Sequence, residues 1–108
     1  MRAALDCGLA IAERLGYRTG DDEGYLGWAD IPGDDERQVA TIAHVDVVPA
    51  GPGWTGDPFT VRERDGWLLG RGVIDDKGPA VLSLYAGAFL MHEGITPALY
   101  LPCAVGLR

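Results

Sequence analysis

Apolar side chains at Leu5, Leu9, Ala12 and Leu15 follow one another at intervals of four and three residues, which lays one stripe along a helix over residues 3–16. Gly16 stands where such a helix would be stopped. Between Gly24 and Ile31, the residues Tyr25, Leu26 and Trp28 suggest a strand. The turn cluster Pro32-Gly33-Asp34-Asp35 then predicts a hairpin with the apolar run that follows. That run, Val39 to Val48, is rich in β-branched residues and reads as a strand deep in a sheet covered on both faces. Residues 49–58 hold three prolines and three glycines and form a stiff, bent loop of the kind that rims a site. Phe59 to Arg64 and Trp67 to Arg71 flank Asp65-Gly66, a dipeptide suited to a two-residue hairpin turn in which both positions need φ > 0.

From Lys77 to Glu93, Leu82, Tyr85, Ala86, Phe89 and Leu90 recur at helical spacing, with Val81, Leu84 and Met91 on the other side, so the pattern predicts a buried helix. Pro79 falls in its first turn, where a missing N–H costs nothing, and Gly94 ends it. After Pro97 a further apolar stretch could be a strand, but Pro102 interrupts it. Strands and two helices in this order, without internal repeats, give an α/β layer.

Composition narrows the partners. The 108 residues suit one small domain or part of a larger one, and 47% hydrophobic with 23% charged residues argues against wholesale disorder. A net charge of −7 disfavours nucleic acid and anionic lipid and leaves acidic side chains available to a cation. Cys7 and Cys103 form no CxxC pair and are expected to be small buried hydrophobes in a reducing, cytoplasmic setting. No run approaches a membrane span, and no signal-peptide core opens the chain.

Two segments can carry chemistry. In His44-Val45-Asp46, strand alternation puts the imidazole and the carboxylate on one side, so the acid can fix the ring tautomer and leave the other nitrogen for a metal. The plain alternative is a polar pair closing a strand. The end of a strand in an α/β sheet is where ligands collect, which favours the first reading. In Gly70-Arg71-Gly72-Val73-Ile74-Asp75-Asp76-Lys77-Gly78, either acid can cap the following helix, or one can bridge two cations. The glycine spacing matches neither phosphate-binding loop, and acids would repel phosphate. His92 suits the end of its helix as a capping residue, Trp67 is expected to pack, and Trp54 can wall a pocket.

Together, AHVDVVPAGPGWTGDPF at 43–59 and GRGVIDDKGP at 70–79 resemble the di-zinc metallopeptidase family that includes carboxypeptidase G, aminoacylase, succinyl-diaminopimelate desuccinylase, carnosinase and PepV-type bacterial dipeptidases. The dipeptidase branch is the most similar, and the match extends through AERLGY at 12–17 and EGYLGWAD at 23–30 to about Pro97. The resemblance implies an incomplete α/β catalytic domain with a mixed, mainly parallel sheet and flanking helices. It implies that His44 is the first zinc-ligand histidine, Asp46 the catalytic-site acid that orients it, and Asp75 the carboxylate bridging two Zn2+ ions; Asp76 matches no ligand. Family substrates are dipeptides or N-acyl amino acids, attacked by a bridged water with a glutamate as base.

This chain has no Glu-Glu pair, and the family's later Asp and His ligands and lid domain would lie beyond residue 108. With two of five expected protein ligands, residues 1–108 are expected to be the N-terminal part of one catalytic domain, binding zinc weakly or partially and inactive alone. The odd tail and the abrupt start at Met1 suggest a frameshift, a premature stop or a gene fragment. The rival expectations are a non-enzymatic α/β module that self-associates through an exposed sheet edge, and half of a complementing two-chain enzyme.

Overall fold

A computed structural model of the chain describes residues 2–106. Helix α1, Arg2–Arg14, forms on the expected stripe and buries Leu5 and Ala12 against the sheet. Gly16 adopts φ +94, which lets its N–H reach the Glu13 carbonyl at 3.0 Å and the Tyr17 N–H reach the Ala12 carbonyl at 3.1 Å. This two-bond closure satisfies the last carbonyls of the helix and folds Tyr17 back towards Ala12. Cys7 sits on the opposite face and is exposed, contrary to expectation, because the inward positions are taken by Leu5, Leu9 and Ala12. The side chain of Cys103 lies outside the described residues.

Strands β1 (Arg18–Asp22) and β2 (Leu26–Ile31) pair antiparallel through a turn in which Glu23 has φ 50 and Gly24 φ 76. The hairpin therefore lies before β2, and the one expected across Pro32–Asp35 is absent from the described residues. Strand β1, with the sequence RTGDD, carries no apolar face that would have announced it. The Arg2 guanidinium and the Gly24 N–H hold the Asp21 carboxyl below the usual carboxylate range. A lowered native value means that the stabilisation is complete above the ordinary carboxylate range and is lost as pH falls through the lowered value. Wild type should therefore melt above Asp21→Asn at neutral pH, by a small margin since the pair is solvated, and the gap should close as pH falls below the usual carboxylate range. A gap that stays constant across that range would refute the assignment.

The sheet is organised by β7, Leu99–Gly106, which lies between β2 on one side and β3 (Asp35–Gln38) and β4 (Thr41–His44) on the other. The β2–β7 ladder is antiparallel, whereas β3 and β4 both run parallel to β7. The sheet is thus mixed, with parallel and antiparallel pairings equally represented among the described residues. Pro102 does not interrupt β7 but pairs with Asp30 inside it, since a proline removes one ladder N–H and leaves its carbonyl available. The expected strand from Val39 to Val48 is shorter and displaced: it breaks at Val39 and ends at His44. Nor is it covered on both faces, because Ile42 is 82% exposed. Among the described residues β4 pairs only with β7, and α2 packs against it.

Strands β5 (Arg62–Arg64) and β6 (Trp67–Leu69) form the second hairpin as expected, with Asp65 at φ 53 and Gly66 at φ 81. Trp67 is exposed rather than packed, since this two-stranded ribbon has no partner sheet among the described residues. Helix α2, Lys77–His92, starts with Pro79 in its first turn and closes through Gly94 at φ +67. It presents Ala80, Leu84 and Gly87 to the core. Leu82, Tyr85 and Phe89 stay exposed, so the helix is buried along one side only, contrary to expectation, because no second layer covers it among the described residues. The Tyr17 hydroxyl donates to the Leu84 carbonyl at 2.6 Å and ties the end of α1 to α2. The core comprises Leu5, Ala12, Tyr17, Ala29, Ile31, Val45 and Leu84. Among the described residues no helix is long and apolar enough to cross a membrane.

Candidate metal centre

Strand β4 delivers His44 at the point where the chain leaves the sheet. The next residue, Val45, is buried and its N–H donates to the Gly106 carbonyl at 3.1 Å, so the backbone beneath the imidazole is fixed. Strand β4 ends at His44, and just beyond it the chain brings the two polar side chains of His44 and Asp46 together. The ring Nδ1 lies 3.2 Å from the Asp46 main-chain carbonyl and 3.4 Å from its Oδ1. Both neighbours are acceptors, so a hydrogen on Nδ1 would be bonded there and would leave the Nε2 lone pair facing Asp75. The shorter contact is to the backbone, so the strand itself shares the orienting role expected of the carboxylate. Side-chain exposures of 19% for His44 and 12% for Asp46 keep this bond largely out of water.

The second arm comes from the turn between β6 and α2. Gly72 at φ +92 bends the chain, and the Gly78 N–H returns to the Gly72 carbonyl at 3.3 Å. A Cβ on Gly78 would meet the Val73 carbonyl oxygen, so only glycine lets the helix start so close to the turn. The peptide bond between Asp75 and Asp76 is cis. Asp75 reaches outward, 68% exposed, and sets its Oδ1 2.9 Å from His44 Nε2. Asp76 occupies the N-cap position of α2 without making a side-chain cap bond. Its Oδ2 instead accepts from the His44 backbone N–H at 3.3 Å, which fastens the start of α2 to the end of β4. The spacing left either acid to cap the helix or bridge cations, and the resemblance gave Asp76 no ligand role. Its actual donor is a main-chain N–H distant in sequence, which no local pattern announces.

With the hydrogen on Nδ1, the lone pairs of Nε2 and Oδ1 would face each other at 2.9 Å and call for a cation between them, whereas a hydrogen on Nε2 makes the same contact a hydrogen bond. Zinc held by both atoms at a tetrahedral angle would set them about 3.4 Å apart, so the pair, now at the hydrogen-bond spacing of 2.9 Å, would have to open by about half an ångström to take an ion. An imidazole nitrogen and a carboxylate oxygen are donor types that zinc accepts. Among the described residues no group of three His, Cys, Asp or Glu side chains converges. Trp54, expected to wall a pocket, does so: with Arg71, Val73 and Asp75 it lines a cleft of about 290 Å³. A larger hollow of about 600 Å³ between the β5–β6 hairpin and α2 has apolar walls including Val61, Leu68, Ile74 and Leu82. Asp75 is absent from that lining, so the smaller cleft is the one joined to the candidate centre. His92 falls in the last turn of α2, the position expected of a capping residue.

The model of peptidase family M20/M25/M40 matches residues 40–101. The Bacillus subtilis protein YtjP is 42% identical over 86 residues, 80% of this chain and 18% of that protein. A Beta-Ala-Xaa dipeptidase of Lactobacillus delbrueckii subsp. lactis is 40% identical over 90 residues, 82% of this chain and 19% of the relative. The chain thus spans about a fifth of the length of the curated relatives it matches. The crystal structure of human carnosine dipeptidase 1 superimposes with a TM-score of 0.82 at 25% identity, over 97% of this chain and 26% of that one.

Proposed function

Because the chain belongs to peptidase family M20/M25/M40, we propose that it supplies part of the active centre of a zinc-dependent dipeptidase, with His44 and Asp75 as metal ligands and Asp46 orienting His44. The observation that carries this reading is the pair His44 Nε2 and Asp75 Oδ1 at 2.9 Å, with the other ring nitrogen already engaged by Asp46. His44 presents a lone pair in a fixed direction. Asp75 sets its Oδ1 towards His44 from a side chain that is largely exposed. Asp76 holds the two arms in register through the His44 N–H. Zinc in such a site supplies Lewis-acid polarisation of a carbonyl and activation of water.

The substrate class is dipeptides, and Beta-Ala-Xaa peptides are the first to try, following the named relative. Two protein donors leave an ion mostly hydrated, so this chain binds zinc weakly and does not hydrolyse peptides by itself. Calorimetric titration with zinc should give weak, saturable binding to wild type and none to His44→Ala or Asp75→Asn. Equal binding by all three proteins would sink the assignment, as would efficient zinc-dependent dipeptide cleavage by the pure chain that survives both substitutions.

A further inference from the structure

The stretch that follows Asp46 and the stretch that precedes Asp75 are joined at several points, and most of them involve Arg71. Its backbone N–H donates to the Pro58 carbonyl at 2.7 Å, and its Nη2 donates to the Ala50 carbonyl at 2.7 Å. The guanidinium carbon lies 5.3 Å from the ring centre of Trp54, and the Trp54 indole N–H donates to that same Ala50 carbonyl at 3.0 Å. Just inside this triangle, Val47 Cγ1 stands 2.8 Å from where a Cβ on Gly72 would be. The Nε of Arg71 is shielded from solvent with no hydrogen-bond partner. An unpaired buried N–H is unfavourable, yet the guanidinium stays packed on the loop instead of turning to water.

We propose that Arg71 is a positioning residue for the metal centre: its Nη2 bond to Ala50 and its stacking on Trp54 clamp the 49–58 loop to the 70–76 turn, and so fix Asp75 against His44. The inference rests on the metal reading above and deepens it. Arg71 touches neither donor, and its positive charge by itself opposes a cation bound nearby. Electrostatics and positioning therefore predict opposite signs. Removing the charge should tighten zinc binding if only the field matters, and weaken it if the clamp sets the geometry. A planar, delocalised fork is also something lysine cannot reproduce.

The test is a zinc chloride titration of the full chain, followed by the ring nitrogens of its two histidines, His44 and His92, in long-range 1H–15N spectra. Circular dichroism confirms that each variant is folded. The His44 resonances of wild type should move with zinc. For Arg71→Gln and Arg71→Lys the midpoint should rise about tenfold, the scale seen when groups supporting metal ligands are removed. Trp54→Phe, which keeps the ring and loses the N–H to Ala50, should shift it in the same direction by less, and it carries the test if the Arg71 variants do not fold. A midpoint for Arg71→Gln at or below that of wild type overturns the proposal, as does full rescue by Arg71→Lys or an unmoved Trp54→Phe. His44 signals that ignore zinc in the wild-type chain overturn the metal reading and the proposal with it.

Discussion

Leu5→Ala should lower the unfolding free energy by about 3–4 kcal/mol, because it removes the largest wholly enclosed side chain among the described residues. Leu5 is 0% exposed and sits where α1 crosses β2. Gly27 of β2 makes room for it: a Cβ there would stand 2.9 Å from both Leu5 Cδ1 and Leu9 Cδ2. The close approach of helix to strand that seats Leu5 also prevents the site from collapsing after truncation. The penalty therefore includes an unfilled cavity as well as lost transfer energy. Against a typical total of about 5–15 kcal/mol, and a described core of few large residues, this is a major share. Urea unfolding should show a lower midpoint with an unchanged slope. A loss below about 1 kcal/mol would mean that α1 is not packed as described.

Gly78→Ala should have the second-largest effect, and a wider one. The new methyl would meet the Val73 carbonyl oxygen, a backbone atom that cannot swing aside as the end of a side chain can. Overpacking of this kind costs about 3 kcal/mol, and the better helix propensity of alanine recovers about 1 kcal/mol. The net loss of about 2 kcal/mol falls on the turn that presents Asp75 and Asp76. Zinc binding should therefore disappear together with the stability, although residue 78 is no ligand. Gly8→Ala offers a control, since a Cβ at that helical glycine meets nothing within 4 Å. Retention of wild-type zinc binding by Gly78→Ala would separate the turn from the metal centre and sink this account.

The parts of the fold that were legible in the sequence are those set by local rules. The stripe of α1, the cap at Gly16, the Asp65-Gly66 turn and the limits of α2 follow from helical periodicity and from positions that need φ > 0. Strand pairing was not legible, because β7 decides it. A distant strand takes the β2 edge that the sequence would have given to Val39–Val48, so the turn at Pro32–Asp35 redirects the chain without making a hairpin. Pro102 argued against that strand, and only its place in the ladder shows that the missing N–H is tolerated. Burial was overestimated for Ile42 and for one face of α2, since apolar character alone does not say what covers it.

The candidate site divides in the same way. His44 and Asp46 meet as residues two apart were expected to, although β4 ends at His44 and the shorter contact is to the Asp46 main-chain carbonyl. The motif around Asp75 announced a carboxylate for a cation, but its approach to His44 is a tertiary fact. The bond from the His44 N–H to Asp76 had no signal beyond a second acid beside the first.

The central place of β7 also bears on how fast the molecule can form. Leu26 pairs with Gly106 and Thr41 with Cys103, so neither long ladder can close until distant parts of the chain have found each other. Local pieces such as the β1–β2 ribbon can flicker into shape within microseconds, but they gain little until that closure occurs. Loop-closure entropy is spent before those contacts repay it, and a high mean separation between contacting residues slows folding. The His44–Asp75 pair depends on the same closure, because β4, which holds His44, is paired to β7.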